Sequence, residues 1–225
     1  MIELTQRWRS IHPGAAMGIL VVGDVRVPDT TPQLTQKKKI LESQLQERYK
    51  GMNRSAILHL PVMQAYAAYY KRFKKTYHLL LQLESIVLKG KKLPKAPALV
   101  EAMFMAELES LLLTAGHDLD QINDPIRLDS SSGNEVYTQL RGKTVSCKTG
   151  DMVMADPQGV FCSIIYGQDQ RTQITDRTRN VIYAVYVPPG INSDLIEDHL
   201  SELEQNVGLV SPEAQITYRK IYFAE

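Results

Sequence analysis

Apolar positions recur at helical spacing in several stretches of the first half of the chain. Within residues 34–49, leucine, isoleucine and tyrosine recur near helical spacing between charged residues, which predicts an amphipathic helix. Pro61 suits a first helical turn, so a second helix is predicted from there to about Phe73. Residues 98–115 are apolar over much of a helical surface, which predicts a core helix that ends at Gly116.

The hydrophobic spacing changes in the second half of the chain. Short runs of β-branched and aromatic residues alternate with turn residues between positions 126 and 187, which predicts a succession of strands. The apolar run at residues 16–22 predicts an earlier strand, and residues 215–223 predict a last one. Between them, residues 193–206 are predicted to be a helix with Ser193 as its N-cap. Helices first and strands second indicate an α+β fold.

The composition is that of a globular protein. Of 225 residues, 44% are hydrophobic and 23% charged, and the net charge of +1 provides no overall attraction to nucleic acid. The N-terminus lacks the apolar region of a signal peptide and no apolar run is long enough to span a bilayer. We therefore expect a cytoplasmic location without membrane contact. Cys147 and Cys162 are expected to be buried thiols rather than a disulfide or metal ligands.

A locally basic stretch follows the helix that begins at Pro61. Lysine and arginine pair with phosphates, so this stretch is a candidate surface for RNA. The RNA-binding candidates are Lys71, Arg72, Lys74, Lys75, Lys89, Lys91 and Lys92. Nearby tyrosines such as Tyr66 and Tyr70 suit base stacking, but at helical spacing they more often belong to the core.

No standard catalytic motif is present. The chain has no GxSxG, HExxH, paired CxxC, Walker loop or GxGxxG, and its five histidines lack metal-ligand spacing, so no metal and no cofactor are expected. His117 beside Asp118 and Asp120 suggests a metal or acid–base cluster. A turn in which the aspartates cap backbone N–H groups is the favoured alternative.

Two segments at strand ends, residues 129–138 and 163–175, are rich in polar groups. They suit the lining of a polar pocket and ordinary turn chemistry about equally. The pocket candidates in them are Asn134, Glu135, Gln168, Asp169 and Arg171.

Short sequence motifs occur in a specific order within residues 137–191. They are carried by Leu140, Gly142, Asp151, Met152, Val153, Ala155, Asp156, Gly159, Ile164, Gly167, Thr178, Asn180 and Val181. Upstream lie Pro97 and a turn at residues 115–118. Together these resemble the editing (tRNA-binding) domain of the bacterial phenylalanyl-tRNA synthetase beta subunit, over residues 95–191. The family pattern reads TLDG, then DLVIAD, then AGIMGGE, after a G.P.HAFD turn.

The resemblance implies a three-layer fold with a β-sandwich-like core and flanking helices. Residues 1–225 would be a single domain, with the editing-like core at 95–191 and residues 1–94 packed on it as an extension. In the family this domain hydrolyses tyrosine wrongly esterified to phenylalanine tRNA, with a positioned water rather than a side-chain nucleophile. The expected partners are therefore tRNA and a small amino-acid-like ligand, and His117 joins the pocket candidates.

Two functions follow from the resemblance. The first is an aminoacyl-tRNA deacylase acting in trans, and the alternative is a non-catalytic module that binds RNA or an amino-acid-like ligand. We expect no aminoacylating activity, because the ligase modules of the full subunit are missing from this sequence.

Several positions depart from the family pattern. Gln168 stands where the family glutamate reads the tyrosine hydroxyl, and it is a neutral partner for such a hydroxyl. Tyr166 replaces a glycine and is expected to narrow the pocket, so it is a further candidate. Met103 and Phe104 replace a threonine and an asparagine of the family helix. These departures predict a changed specificity.

Overall fold

The structure is a computed structural model that describes residues 2–225. The helices are α1 (Gln6–Ile11), α2 (Pro32–Arg48), α3 (Arg54–Leu58), α4 (Pro61–Lys71), α5 (His78–Val87), α6 (Ala98–Ser110) and α7 (Ser193–Val210). The strands are β1 (Ile2–Leu4), β2 (Ala16–Gly23), β3 (Leu113–Asp118), β4 (Ile126–Ser130), β5 (Val136–Thr138), β6 (Thr144–Ser146), β7 (Met152–Asp156), β8 (Gly159–Ser163), β9 (Gly167–Gln168), β10 (Val181–Val187) and β11 (Gln215–Phe223).

The strands form two main sheets and one short pair. The first sheet has the order β1-β4-β7-β8-β9, in which β1 pairs with β4 in parallel and the other neighbours are antiparallel. The second sheet is antiparallel with the order β11-β2-β10-β3, and β5 pairs with β6 separately. Edge strands β3 and β9 contact each other, so the two sheets meet on that side of the molecule.

The second sheet lies between the helices and the first sheet. On one face the hydroxyl of Tyr183 in β10 donates to the carbonyl of Leu99 in α6 at 3.3 Å. On the other face the ring of His117 in β3 lies edge-on to that of Phe161 in β8, with 5.0 Å between centroids. The layers are therefore helices, sheet and sheet, which confirms the predicted α+β fold with a β-sandwich-like core.

The tyrosines of α4 belong to the core. The Tyr66 hydroxyl donates to the carbonyl of Tyr186 at 2.6 Å, and the Tyr70 hydroxyl donates to that of Ile164 at 2.8 Å. The rings of Tyr66 and Tyr77 are stacked with centroids 4.2 Å apart. Because a buried hydroxyl needs a partner, each ring is fixed by both packing and a hydrogen bond. The expectation that these residues are core rather than a stacking platform is confirmed.

The predicted helix over residues 98–115 is wrong at its C-terminal end. α6 ends at Ser110, Leu111 adopts a left-handed φ of 65°, and β3 follows and pairs with β10. The apolar residues after Ser110 suit a helix and a buried strand equally, so pairing with β10 decides between them. Gly116 is a strand residue rather than a helix stop, and a Cβ there would lie 3.0 Å from the Tyr183 ring.

The other predicted elements agree with the structure apart from one cap. The strand at 16–22, the helix at 34–49 and the strand at 215–223 are confirmed as β2, α2 and β11. Ser193 is not the N-cap of α7, since the Asn192 side chain accepts the N–H of Asp194 at 3.1 Å.

The remaining sequence expectations concern thiols, metals and membranes. Cys147 and Cys162 are free and buried, which confirms the expected buried thiols. No helix of residues 2–225 combines the length and apolarity that a bilayer crossing requires. Over the same residues, no group of three or more histidine, cysteine, aspartate and glutamate side chains is arranged to hold a metal ion.

Candidate functional site

A cleft of about 500 Å³ opens between α6, edge strand β3 and the β8–β9 end of the first sheet. This volume lies in the range of small-molecule sites. The buried floor includes Glu107, Thr114, Cys162, Ser163, Ile164 and Tyr186. The exposed rim includes Pro97, Leu140, Arg141, Gly167 and Gln173.

Helix α6 forms one wall of the cleft. Positions 100, 103, 104 and 107 follow the i, i+3, i+4, i+7 spacing that places side chains on one helical face. Met103 and Phe104 occupy positions that are polar in the editing-domain family that the sequence resembles, and both line the cleft. The wall is therefore apolar up to Glu107.

Two of the predicted pocket residues line the cleft from the opposite side. Gln168 lies on β9, paired with Cys162 of β8, and is half-buried. Tyr166 is half-buried in the connection between these strands, where its N–H donates to the Ser163 hydroxyl oxygen at 3.1 Å. Both residues that the sequence motif identified therefore line the cleft.

The Ser163 hydroxyl and the Cys162 thiol of the floor are not activated nucleophiles. The Ser163 hydroxyl donates to Asp151, whose other carboxylate oxygen accepts the hydroxyl of Tyr69 at 2.6 Å. Burial raises the pKa of Asp151 to about 6 despite these hydrogen bonds. Burial also raises the pKa of the Cys162 thiol to about 12, so it carries no thiolate at neutral pH. The cleft can bind and position a ligand, but neither Ser163 nor Cys162 is activated by a neighbouring base. The Thr114 hydroxyl, also on the floor, shares a hydrogen bond with Nε2 of His199 at 2.8 Å.

Glu107 is the ionisable side chain on the cleft floor that sequence reasoning missed. It is 2% exposed, and one carboxylate oxygen accepts the N–H of Thr114 at 2.7 Å. Burial raises the pKa of Glu107 to about 8. The nearby hydroxyl of Tyr186 is buried without a hydrogen-bond partner among the described residues. The sequence feature that could have identified Glu107 is its spacing. It lies four residues after Met103 and three after Phe104, on a helix that is apolar over most of its surface.

His117, Asp169 and Arg171 belong to a buried network rather than to the cleft lining. The Thr172 hydroxyl donates to Asp169, so it accepts a hydrogen bond from Nδ1 of His117 at 2.7 Å. Arg171 forms ion pairs with Asp169 at 3.4 Å and with Asp156 at 2.9 Å. Burial, followed by the charge of Arg171, lowers the pKa of His117 to about 3, so the ring is neutral. His117 is fully buried and does not line the cleft.

Asn134 and Glu135 lie in a turn that does not line the cleft. Glu135 accepts hydrogen bonds from the Ser131 hydroxyl at 2.6 Å and from the Ser132 N–H at 3.0 Å. Burial alone would raise its pKa, but these hydrogen bonds outweigh that effect and lower it to about 2. Asn134 is exposed. Local side-chain to backbone bonding of this kind is ordinary turn chemistry.

The aspartates after His117 also form a turn. Asp118 accepts the N–H of Asp120 at 3.1 Å and the hydroxyl of Thr178 at 2.7 Å. Asp120 in turn accepts the side-chain amide of Asn180 at 2.7 Å. The capping alternative that the sequence favoured is therefore confirmed.

Exposed basic groups flank the cleft. All of the predicted RNA-binding residues are exposed. The Lys75 ammonium lies 5.6 Å from the ring centroid of Tyr166, and Arg141, which the sequence analysis did not select, lines the rim. Lys91 and Lys92 line a second depression, which shares Phe104 with the cleft. Positive charge therefore lies on more than one side of the opening.

Similarity to known proteins is found in a family profile and among solved structures. The profile of the B3/4 domain family matches residues 62–196. The chain matches no curated protein. Among solved structures it is similar to an N-terminal fragment of the phenylalanyl-tRNA synthetase beta subunit from Pyrococcus horikoshii, with 14% identity and a TM-score of 0.49. The match covers 98% of this chain and 50% of the fragment, so the chain spans about half of that fragment's length.

Proposed function

Because the chain belongs to the B3/4 domain family, which occurs in phenylalanyl-tRNA synthetase beta subunits, we propose that its cleft receives an aminoacyl-tRNA and hydrolyses the ester in trans. The observation that carries this proposal is an apolar cleft of about 500 Å³ with exposed basic groups around its opening. Such a protein would act in the cytoplasm, where tRNAs are charged.

The cleft suits the amino-acid part of such a substrate. Its apolar wall, with Met103 and Phe104, would exclude water from an apolar side chain. Gln168 offers a neutral amide that both donates and accepts hydrogen bonds. A few polar groups in an apolar pocket are the usual means of orienting a small ligand.

The basic groups suit the RNA part of the substrate. Lys75, Arg141, Lys91 and Lys92 are exposed and lie beside the cleft or the adjoining depression. Phosphate contacts of this kind provide affinity and orientation without reading a sequence. They would hold an acceptor end while its aminoacyl group enters the cleft.

Hydrolysis in this cleft would use a positioned water. The water oxygen would attack the ester carbonyl carbon, the bond to the ribose oxygen would break, and the free amino acid and a ribose hydroxyl would leave. Ser163 and Cys162 are not activated nucleophiles, which supports a water-based reaction over a covalent one. The gain in rate would come from orientation.

The test is release of amino acid from a panel of mischarged tRNAs, including tyrosyl- and meta-tyrosyl-tRNA. We expect release of at least one amino acid by the wild-type protein and a loss of about tenfold or more in Gln168→Ala, since that side chain contacts the ligand. Asn134→Ala, in an exposed turn outside the cleft, is the matched control and should act like the wild type. A folded protein that releases no amino acid from the panel contradicts hydrolysis.

The second candidate is a binding module without catalysis. The apolar Met103 and Phe104, and the hydrogen-bonded state of Ser163, favour it because they leave few groups to position a water. Salt-dependent tRNA binding without release of amino acid would single out this function.

A further inference from the structure

We propose that Glu107 makes the cleft selective for ligands that bring an ammonium group to its floor. The inference deepens the proposed function, and rests on it, by naming the chemical class of substrate that the cleft accepts. Two sources share this chemistry: the α-ammonium of an aminoacyl ester and a side-chain ammonium.

The geometry of the floor supports this selectivity. Glu107 ends the cleft-facing row of α6 and lies against the start of β3, where one of its oxygens binds the N–H of Thr114. That is the one hydrogen bond that the Glu107 side chain forms within residues 2–225. A carboxylate accepts about four hydrogen bonds, so acceptor capacity remains for a ligand. The unpartnered hydroxyl of Tyr186 lines the same floor.

The electrostatics of the floor favour a cationic ligand over a neutral one. Glu107 forms no ion pair among the described residues, and burial makes its charged form costly. An ammonium would stabilise the carboxylate form of Glu107 as its counter-charge, whereas a neutral or anionic ligand would leave Glu107 protonated and gain no ion pair. The positive groups of the rim are exposed and lie at the opening rather than on the floor.

The titratable groups around Glu107 do not supply this counter-charge. They are Tyr66 and Tyr70 of α4, Tyr77 and His78 at the start of α5, Cys162 of β8, Tyr186 of β10 and His199 of α7. Burial raises the pKa of the tyrosines and of the thiol, so they are neutral. Burial lowers the pKa of His199 to about 4, and the apolar surroundings lower that of His78, so neither ring is charged at neutral pH.

Proton release is the signature of the proposed contact. Because burial raises the pKa of Glu107 to about 8, the carboxyl group holds its proton at pH 7 in the empty cleft. An ammonium bound beside it favours the carboxylate, so binding releases about one proton. A ligand without an ammonium releases none.

The experiment measures calorimetric binding of three small esters at pH 6, without RNA. At this pH the α-amine of an amino-acid ester is an ammonium and Glu107 holds its proton in the empty cleft. L-phenylalanine methyl ester carries an α-ammonium, Nα-acetyl-L-lysine methyl ester carries a side-chain ammonium, and Nα-acetyl-L-phenylalanine methyl ester carries neither. We expect at least one ammonium ester to bind about tenfold or more tightly than the uncharged ester, with release of about one proton. The identity of that ester distinguishes the two sources.

Variants assign the effect to Glu107. Glu107→Gln keeps the shape and the acceptor for Thr114, and it should abolish both the preference and the proton release. Glu109→Gln, on the same helix but paired with Arg48, is the matched control and should keep both. Equal affinity for all three esters in the wild type, or a preference retained in Glu107→Gln, would overturn the inference.

The outcome is separable from that of the proposed function. Ammonium selectivity with no release of amino acid from tRNA supports the role of Glu107 and rejects hydrolysis. Release of amino acid without ammonium selectivity supports hydrolysis and rejects the role of Glu107.

Discussion

The cleft and the Asp169 network are two buried polar regions whose carboxyl groups differ in how completely they are bonded. Nε2 of His117, in the network, has no partner among the described residues, so the difference concerns the carboxyl groups. In the network, Asp169 accepts two hydrogen bonds from Thr172 and an ion pair from Arg171. On the cleft floor, the Glu107 carboxyl group has one hydrogen bond and the Tyr186 hydroxyl has none among the described residues. Buried groups with all their hydrogen bonds formed stabilise one conformation. A buried group that faces a cavity and can accept further hydrogen bonds is available to a ligand.

The largest expected effect tests the structural side of this comparison. Asp169→Ala leaves the buried N–H and hydroxyl of Thr172 without their acceptor and removes one of the two ion-pair partners of Arg171, so it should lower the free energy of unfolding by about 3 kcal/mol, measured by urea denaturation. Asp176→Ala, exposed in the same loop, is the control and should cost less than about 0.5 kcal/mol. A loss below about 1 kcal/mol for Asp169→Ala would show that the network is not structural.

The second effect tests the state of Glu107 through the pH dependence of stability. The pKa of Glu107 is about 8 in the fold against 4.5 for an unperturbed glutamate, so between these values the unfolded chain holds fewer protons and stability falls as pH rises. From pH 6.5 to 8 the wild type should lose about 1.5 kcal/mol relative to Glu107→Gln, and this difference between the two proteins is the quantity to measure.

This pH window separates Glu107 from the other shifted groups. The raised pKa of Asp151, about 6, affects stability below the window. The lowered pKa values of His12, His117 and His199 make stability rise as pH passes through the ordinary histidine value of 6.5. This rise is the same in the wild type and in Glu107→Gln, so it cancels in their difference. Equal slopes for the wild type and Glu107→Gln in urea titrations across the window would contradict a protonated Glu107.

The third effect concerns the rim of the cleft. Lys75→Glu combined with Arg141→Glu should weaken tRNA binding about tenfold at low salt and reduce the dependence on log salt by about two, because two phosphate contacts are lost. Lys39→Glu with Arg177→Glu makes the same change of charge at exposed sites that do not line the cleft. If both pairs weaken binding equally, the rim has no special role.

The smallest effect concerns a turn that the sequence offered as a pocket. Glu135→Gln removes acceptor capacity for Ser131 and Ser132, which should lower the free energy of unfolding by about 1 kcal/mol or less. Because Glu135 does not line the cleft, ligand affinity measured by calorimetry should stay unchanged. A clear change in that affinity would place this turn in the binding site and blur the distinction between the two regions.

Part of the candidate site could be predicted from the sequence. The order of motif pieces identified Gln168 and Tyr166, and the structure brings both to the cleft together with Met103 and Phe104. The sequence also suggested Asn134, Glu135, His117, Asp169 and Arg171 as pocket residues, and none of these lines the cleft. Polar residues at strand ends look alike in sequence, because their hydrogen-bond partners are distant along the chain.

The sequence by itself determined the α+β class and the spacing of long elements such as α2, β2 and β11, since local periodicity marks which side of an element is buried. Only the tertiary structure decided that the chain leaves α6 at Ser110, because pairing of β3 with β10 outweighs an apolar run that suits a helix equally well. It also decided the setting of Glu107. α6 is apolar over most of its surface, and a cavity and a shifted pKa exist only when β3, β8 and α6 are packed together.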